Sequence, residues 1–374
     1  MKVAALGDAH LGRSYFSYTT EQGFNQREVD FEDSFTRAVD LALAQSPDLV
    51  VWLGDIFDHP RPTYRSYRIA QRAMVRIREH GTPLVLITGN HDTPRLPGTG
   101  SPYSALADLF PEFHFAHRMA YERFVFPGLV VHAVPQMLTV EATLDALAEA
   151  RLSRSTDATN LLLTHPRVPQ VEPHHSDINE IEVDAGLLKS SADLALLGHY
   201  HFHTRVQDGI WYAGSTDTFS FADDPEIAKG IVVLDTDTGQ IEHKALTGQR
   251  PLITVPAVHA LGLSPAEVQE RVLERVSAVP AGAVVRLYLE GVDPEAFRML
   301  DMDAVRAASA HALHLKLEPD FAGTQTNVEL PDLASLPVQW SNYVAGQDLV
   351  GFDRDRIRVK GDEYLARAVE EALD

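Results

Sequence analysis

Leu49-Val50-Val51-Trp52-Leu53-Gly54-Asp55-Ile56-Phe57-Asp58 reads as a buried strand that ends in a turn and delivers two carboxylates. An unbroken apolar run closed by glycine suits a strand covered on both faces. The pattern recurs along the chain. Val3-Ala4-Ala5-Leu6 precedes Asp8-Ala9-His10, and Leu84-Val85-Leu86-Ile87 precedes Gly89-Asn90-His91-Asp92. Leu161-Leu162-Leu163 leads to Thr164-His165, and Leu194-Ala195-Leu196-Leu197 to Gly198-His199-Tyr200-His201. Residues 129–132, 211–213, 231–234 and 241–246 read as further strands. Amphipathic stretches lie between them, for example 31–45 and 67–80. Strands alternating with helices predict an α/β layered fold whose sheet is covered on both sides.

Side chains on loops that leave the carboxyl ends of parallel strands converge on one crevice. Asp8, Asp55, Asn90, His165 and His199 stand at or just past such ends. The i, i+2 spacing of Asp8 with His10 and of His199 with His201 puts each pair on one side of an extended chain. Imidazole, carboxylate and amide donors without sulfur suit Mn, Fe or Zn better than an all-oxygen Mg or Ca cage. One carboxylate shared by two such ions would hold them about 3.5–4 Å apart, the spacing at which a metal pair hydrolyses phosphate esters. His91 sits beside Asn90 and is the candidate acid for the leaving oxygen, with Asp58 as the carboxylate that keeps its imidazole protonated.

Composition narrows the alternatives. The chain has 374 residues, 45% hydrophobic and 23% charged, enough for a large core. It has no cysteine, which excludes disulfides, a thiol nucleophile and zinc-thiolate sites. No apolar stretch nears the ~20 residues of a membrane helix. Met1-Lys2 leads at once into a strand rather than a signal peptide, so a cytoplasmic home is expected. The net charge of −21 does not advertise nucleic-acid binding. Binding, however, depends on local patches, and two divalent cations would add positive charge where a phosphate sits.

The ordered set Asp8-x-His10, Gly54-Asp55-x-x-Asp58, Gly89-Asn90-His91-Asp92, His165 and Gly198-His199-x-His201 resembles the calcineurin-like metallophosphoesterases over about residues 1–245. Within them, Gly7 to Gly12 and Gly54 to Asp58 are similar to the SbcD-type DNA repair nucleases. So is the later run of Tyr212-Ala213-Gly214-Ser215, Phe219-Ser220-Phe221 and Lys229-Gly230. The resemblance implies a layered β-sandwich flanked by helices, with a small α+β capping domain. It implies one metal on Asp8, His10, Asp55 and His201, and a second on Asp55, Asn90, His165 and His199, with Asp55 bridging. It implies two Mn²⁺ (Mg²⁺, Fe or Zn in their place), His91 as acid and Asp58 as its partner. Some members carry a histidine in place of Asp58; here His59 is the next residue. It further implies a DNA substrate, a homodimer, a coiled-coil ATPase partner of the SbcC type and a place with the nucleoid.

The domains expected are 1–248 for the nuclease, 249–319 for the cap and 320–374 for a linker and a C-terminal segment that docks the ATPase. Composition shifts near Gln249-Arg250-Pro251, and residues 252–319 read as strand, helix (265–276), strand (284–289), helix (294–310) and strand (313–317). Residues 319–349 read as linker and 361–373 as a short helix.

Arg61, Arg65, Arg68, Arg72 and Arg76 recur every three or four residues, a basic stripe on a helix that faces DNA, a subunit or solvent. The interleaved Ile69, Ala73 and Ile77 face the core or a mate. His59, Arg61, Arg65 and His203 are candidate substrate contacts. Tyr15, Phe16 and Tyr18 suit core or dimer contact more than base stacking, and His174-His175 a surface loop. The reading favoured is a Mn-dependent nuclease: a 3′–5′ exonuclease on duplex DNA and an endonuclease on single strands or hairpins. A small-substrate phosphodiesterase of the same fold is the alternative; a DNA-tethering scaffold with weak catalysis is a third.

Overall fold

The computed structural model describes residues 1–96, 100–171, 179–223, 227–322, 340–341, 343–345 and 354–373. Lys2–Leu6 (β1), Leu49–Leu53 (β2), Leu84–Ile87 (β3), His114–Ala116 (β4), Gly230–Asp235 (β11) and Ile241–Ala245 (β12) form one sheet, in the order β12-β11-β1-β2-β3-β4. Glu122–Phe126 (β5), Leu129–Val134 (β6), Thr159–Thr164 (β7), Leu194–Leu197 (β8), Thr204–Gln207 (β9) and Ile210–Tyr212 (β10) form a second, ordered β5-β6-β7-β8-β10-β9. β1 to β4 run parallel, as do β6 to β8. Each sheet therefore gathers the carboxyl ends of its parallel strands along one edge.

The covered strands fall into two sheets that pack face to face, the layered β-sandwich that the resemblance implied. Alternation along the strands makes this possible. Val3, Ala5, Val51, Leu53 and Ile87 of the first sheet share a buried layer with Val131, Leu161, Leu163 and Leu196 of the second. The intervening residues Ala4, Leu6, Val50, Trp52 and Leu86 pack with Phe35, Ala38, Ala70 and Met74. These come from helices Gln26–Ala44 (α1) and Tyr64–His80 (α2). Leu162, Ala195 and Leu197 pack likewise on Leu147 of Val140–Leu152 (α4) and Leu188 of Ala185–Ser191 (α5); Ser104–Leu109 (α3) lies between β3 and β4 in the chain. Each buried Leu or Val contributes about 1.5–3 kcal/mol. An apolar run reads alike whether its second face meets helices or another sheet.

Helix starts differ from the periodicity because capping sets them. Asn25 caps α1, its side chain accepting from the Arg27 and Glu28 amides, so a polar first turn precedes Phe31. Thr63 caps α2, which leaves Arg61 ahead of the helix. The expected helix 294–310 is two, Pro294–Arg298 (α7) and Met302–Ala308 (α8). Asp301 interrupts it by accepting from the Asp303 and Ala304 amides, a new cap. The short edge strands β4, β5 and β9 gave no clear apolar run.

The chain divides into two compact units: Met1–Val255 with Arg275–Leu287 and Val305–Lys316, and Pro256–Glu274 with Tyr288–Ala304 and Leu317–Asp374. Leu252–His259 (β13), Val284–Val292 (β14) and His314–Phe321 (β15) form a three-stranded sheet in that order, and Pro265–Ser277 (α6) and Arg354–Leu373 (α9) are helical. Most of the expected linker 319–349 lies outside the described residues. Among the described residues no helix is long and apolar enough to cross a membrane.

Candidate metal centre

The crevice lies where the carboxyl edges of the two sheets meet. Asp8 follows β1, Asp55 follows β2 and Asn90 follows β3 in the first sheet; His165 follows β7 and His199 follows β8 in the second. The loops after β1 and β2 go on bonding beyond the strands. The amides of Asp8, His10 and Leu11 donate to the carbonyls of Gly54, Asp55 and Ile56 at 3.1, 2.9 and 2.8 Å. Asp92 ties in the third loop, accepting from the Ile56 amide at 3.1 Å and the Gly89 amide at 2.7 Å. The Tyr103 hydroxyl closes this tie at 2.5 Å.

The donor atoms point at one another. His165 Nε2 stands 3.1 Å from Asp55 Oδ2, 3.1 Å from Asn90 Oδ1 and 3.8 Å from Asp8 Oδ1. His199 Nδ1 is 3.2 Å from Asn90 Oδ1, and His10 Nε2 faces His201 Nε2 at 3.1 Å. The opposite nitrogens are occupied elsewhere. His165 Nδ1 donates to the Leu53 carbonyl at 2.6 Å, His10 Nδ1 to Asp58 Oδ1 at 3.1 Å and His199 Nε2 to Glu180 Oε1 at 3.0 Å. Each outward bond leaves the inner nitrogen as a lone-pair donor, the arrangement of a metal-binding histidine.

These residues fit a pair of divalent cations. Asp8, His10 and His201 offer atoms within 4.8 Å of one another, as do Asp8, Asp55 and His165. Asp8 Oδ2 is buried without a hydrogen-bond partner, a state that costs free energy unless something positive meets it. Burial pushes the Asp8 carboxyl up to about 8, with nearby Asp55 adding to the rise. Burial would raise Asp55 too, yet His165 holds it well below the usual carboxylate range. Burial works against a charged His165, but Asp55 and Asp8 raise it to about 10. Burial, with the neighbouring His10 next, pushes His201 well below the usual imidazole range. Without metal the cluster is therefore stabilised by protons that a cation would displace.

Backbone strain gathers at the same place. Four of the eight non-glycine residues with positive φ among the described residues are Asp8 (50°), His10 (46°), Asp55 (49°) and His199 (100°). Such conformations cost about 1–3 kcal/mol each and persist where the surroundings over-determine them. Asp8 and His10 therefore do not form the extended pair their spacing suggested; two left-handed residues bring the side chains together instead. The loops also approach closely. A Cβ on Gly54 would lie 2.6 Å from both the Gly89 amide nitrogen and His165 Nδ1. One on Gly198 would collide with the Leu53 carbonyl.

All seven expected donors converge. His91 lies beside them, its ring edge-on to His10 at 4.6 Å and its amide donating to Asp55 Oδ1 at 2.8 Å. Its Nδ1 meets the Asp58 main-chain carbonyl at 3.1 Å, while the Asp58 carboxylate is 3.6 Å away and bonded to His10. His59 is 70% exposed beside Asp58, and Arg61 is exposed. Arg65 is bound to Glu32 of α1, with its guanidinium over Phe24, and Arg76 pairs with Asp40. His203 turns away, Nδ1 on the Tyr212 carbonyl at 2.9 Å and ring stacked on His243. Phe16 stacks on His314. His174 and His175 lie outside the described residues. The sequence reading missed Glu180, which follows no motif, and gave no site role to Phe219, whose ring stands edge-on to both His10 and His201 at 4.9 Å. It gave Asp92 no role, although Asp92 closes the Gly-Asn-His-Asp motif.

The DNA double-strand break repair protein Mre11 of Saccharolobus solfataricus is 28% identical over 222 residues, 58% of this chain and 55% of the relative. The protein of that name from Thermoplasma acidophilum is 28% identical over 267 residues, 67% of this chain and 66% of its own. The chain thus spans 55% to 66% of the length of these relatives. A solved dimetal phosphatase from Danio rerio aligns over 62% of this chain and 91% of its own, at 15% identity and a TM-score of 0.39, too low to carry any argument. The calcineurin-like phosphoesterase family matches residues 1–203, the stretch that holds every donor described above, and the chain belongs to that family.

Proposed function

We propose that this protein is a two-metal DNA nuclease that hydrolyses phosphodiester bonds in double-strand-break repair. The observation that carries the hydrolytic reading is the set of inward-facing donors around the unpartnered Asp8 Oδ2. The DNA substrate is supported by the relatives named Mre11. Asp8, His10, Asp55 and His201 would hold one metal, and Asp55, Asn90, His165 and His199 the other, with Asp55 shared. When bound, the pair supplies a hydroxide at neutral pH and positive charge for the phosphate oxygens.

The chain's own residues do the rest. Asp58 and Glu180 hold the rings of His10 and His199 with their donor nitrogens inward. The Asp58 main-chain carbonyl accepts a hydrogen bond from His91 Nδ1–H, so a second proton on that ring sits on Nε2. That is the proton His91 would give to the leaving oxygen, a step that typically contributes about 10²–10⁴-fold. Asp58 then supports His91 through its carbonyl more than its carboxylate. Of the expected substrate contacts, His59 and Arg61 are the exposed ones, and His59 lies 3.3 Å from the Asp58 carboxylate.

The finer reading rests on the SbcD-type resemblance. The nuclease uses Mn²⁺, cuts duplex ends 3′–5′ and opens single strands or hairpins. It works as a homodimer with an SbcC-type ATPase near the nucleoid, residues 249–319 cap the DNA, and 320–374 dock the ATPase. An assay with Mn²⁺ on linear duplex DNA, single-stranded circles and bis-p-nitrophenyl phosphate tests it. Hydrolysis of all three is expected; activity on the last alone would favour a small substrate.

A further inference from the structure

Glu180 stands in no recognised motif, yet its carboxylate Oε1 receives the Nε2 proton of His199 at 3.0 Å. The two side chains are 14% and 6% exposed, so water competes little for the bond. The other end of the same residue is also held, the His199 amide donating to Asp8 Oδ1 at 3.0 Å in a backbone with φ of 100°. With Nε2 engaged, Nδ1 is left facing Asn90 Oδ1 at 3.2 Å. His165, the neighbouring imidazole, has only a neutral carbonyl behind it. A carboxylate behind a ligand imidazole fixes ring and tautomer and makes the inner nitrogen a stronger donor.

We infer that Glu180 is a positioning residue for His199, setting the affinity of the metal position formed by Asp55, Asn90, His165 and His199 while leaving the other unaffected. The inference rests on the two-metal reading proposed above. His10 is served by a separate carboxylate, Asp58, which is why the effect should be confined to one position.

Mn²⁺ titration of the metal-free full-length chain tests it, by calorimetry and by the electron paramagnetic resonance signal of the bound ions. Wild type should take up two Mn²⁺ and show a spin-coupled signal. Glu180→Ala should weaken one dissociation constant about 10–100-fold, leave the other within about twofold, and give an isolated-ion signal at intermediate Mn²⁺. Glu180→Gln, whose amide oxygen still accepts from Nε2, should recover part of the loss. Unchanged constants in Glu180→Ala, or both constants weakened together, would overturn the role. So would Glu180→Gln binding as weakly as Glu180→Ala, which would mark the carboxylate as a direct ligand. If wild type itself binds fewer than two Mn²⁺, the two-metal reading has failed first, before any variant is compared.

Discussion

The two sheets contribute to the site in different ways. Donors from the first sheet ride on loops that bond to one another: the Asp8 and His10 amides donate to the Gly54 and Asp55 carbonyls, and the Asp92 carboxylate accepts from the Ile56 and Gly89 amides. Donors from the second sheet are all imidazoles, and each is secured by a group from elsewhere. His165 leans on the Leu53 carbonyl and His199 on Glu180, while the His201 carbonyl accepts from Ser215 Oγ and Lys229 Nζ. The first half is thus built by its loops pairing with one another and the second by support from groups outside its donor loops. Substitutions in each half should fail differently.

The largest effect is expected at His91, a first-sheet residue that is not a donor. His91→Asn should keep both metals in a calorimetric titration and lose about 10²–10⁴-fold in turnover. Loss of metal instead would move His91 into the ligand set. Next comes crowding. A methyl on either Gly198 or Gly89 meets His165; the one on Gly198 also meets the Leu53 carbonyl, and the one on Gly89 the Asp55 carboxylate. Each Gly→Ala change should cost about 1–3 kcal/mol by overpacking, read from chemical denaturation. Gly198→Ala should weaken the position that uses His165, and Gly89→Ala should weaken both through Asp55. Equal metal affinities in the two variants would erase the distinction between the halves.

A third contrast concerns protons. Asp8 and His165 retain protons up to about pH 8 and 10 in the metal-free site, and must lose them to become donors. Mn²⁺ affinity should therefore fall as pH falls from 8 to 6, with proton release visible as buffer-dependent heat. A pH-independent affinity would contradict these assignments. The smallest effects belong to the arginines. Arg65→Ala removes the partner of the nearly buried Glu32 and should cost about 1–2 kcal/mol, discounted because Arg65 is one-third exposed. It should leave the salt dependence of DNA binding unchanged. Arg61→Ala should reduce that slope by about 0.9; the reverse outcome would exchange their roles.

Much of this was legible in the sequence for a physical reason. Strands buried on both faces write continuous apolar runs, and donors at their ends write short motifs, so β1, β2, β3, β7 and β8 and all seven donors could be read directly. What stayed hidden was any feature not written locally. Two sheets face to face give the same runs as one covered sheet, so the sandwich followed from the motif resemblance and not from the strand pattern. The cap at Asn25 set the start of α1 against the periodicity, and Asp301 split one expected helix into two. Glu180 acts through His199, and Phe219 touches His10 and His201, contacts that no motif spacing records. The basic stripe was legible as a helix face, but its Arg65 partner, Glu32, comes from another helix.

The central claim, two metals sharing one carboxylate, is tested most directly by counting Mn²⁺ bound to Asp55→Ala. Asp55 Oδ2 faces His165 while Oδ1 takes the His91 amide. The account predicts two Mn²⁺ per wild-type chain and none retained by the variant at concentrations that saturate wild type. An Asp55→Ala chain that is folded and still binds two Mn²⁺ would contradict it.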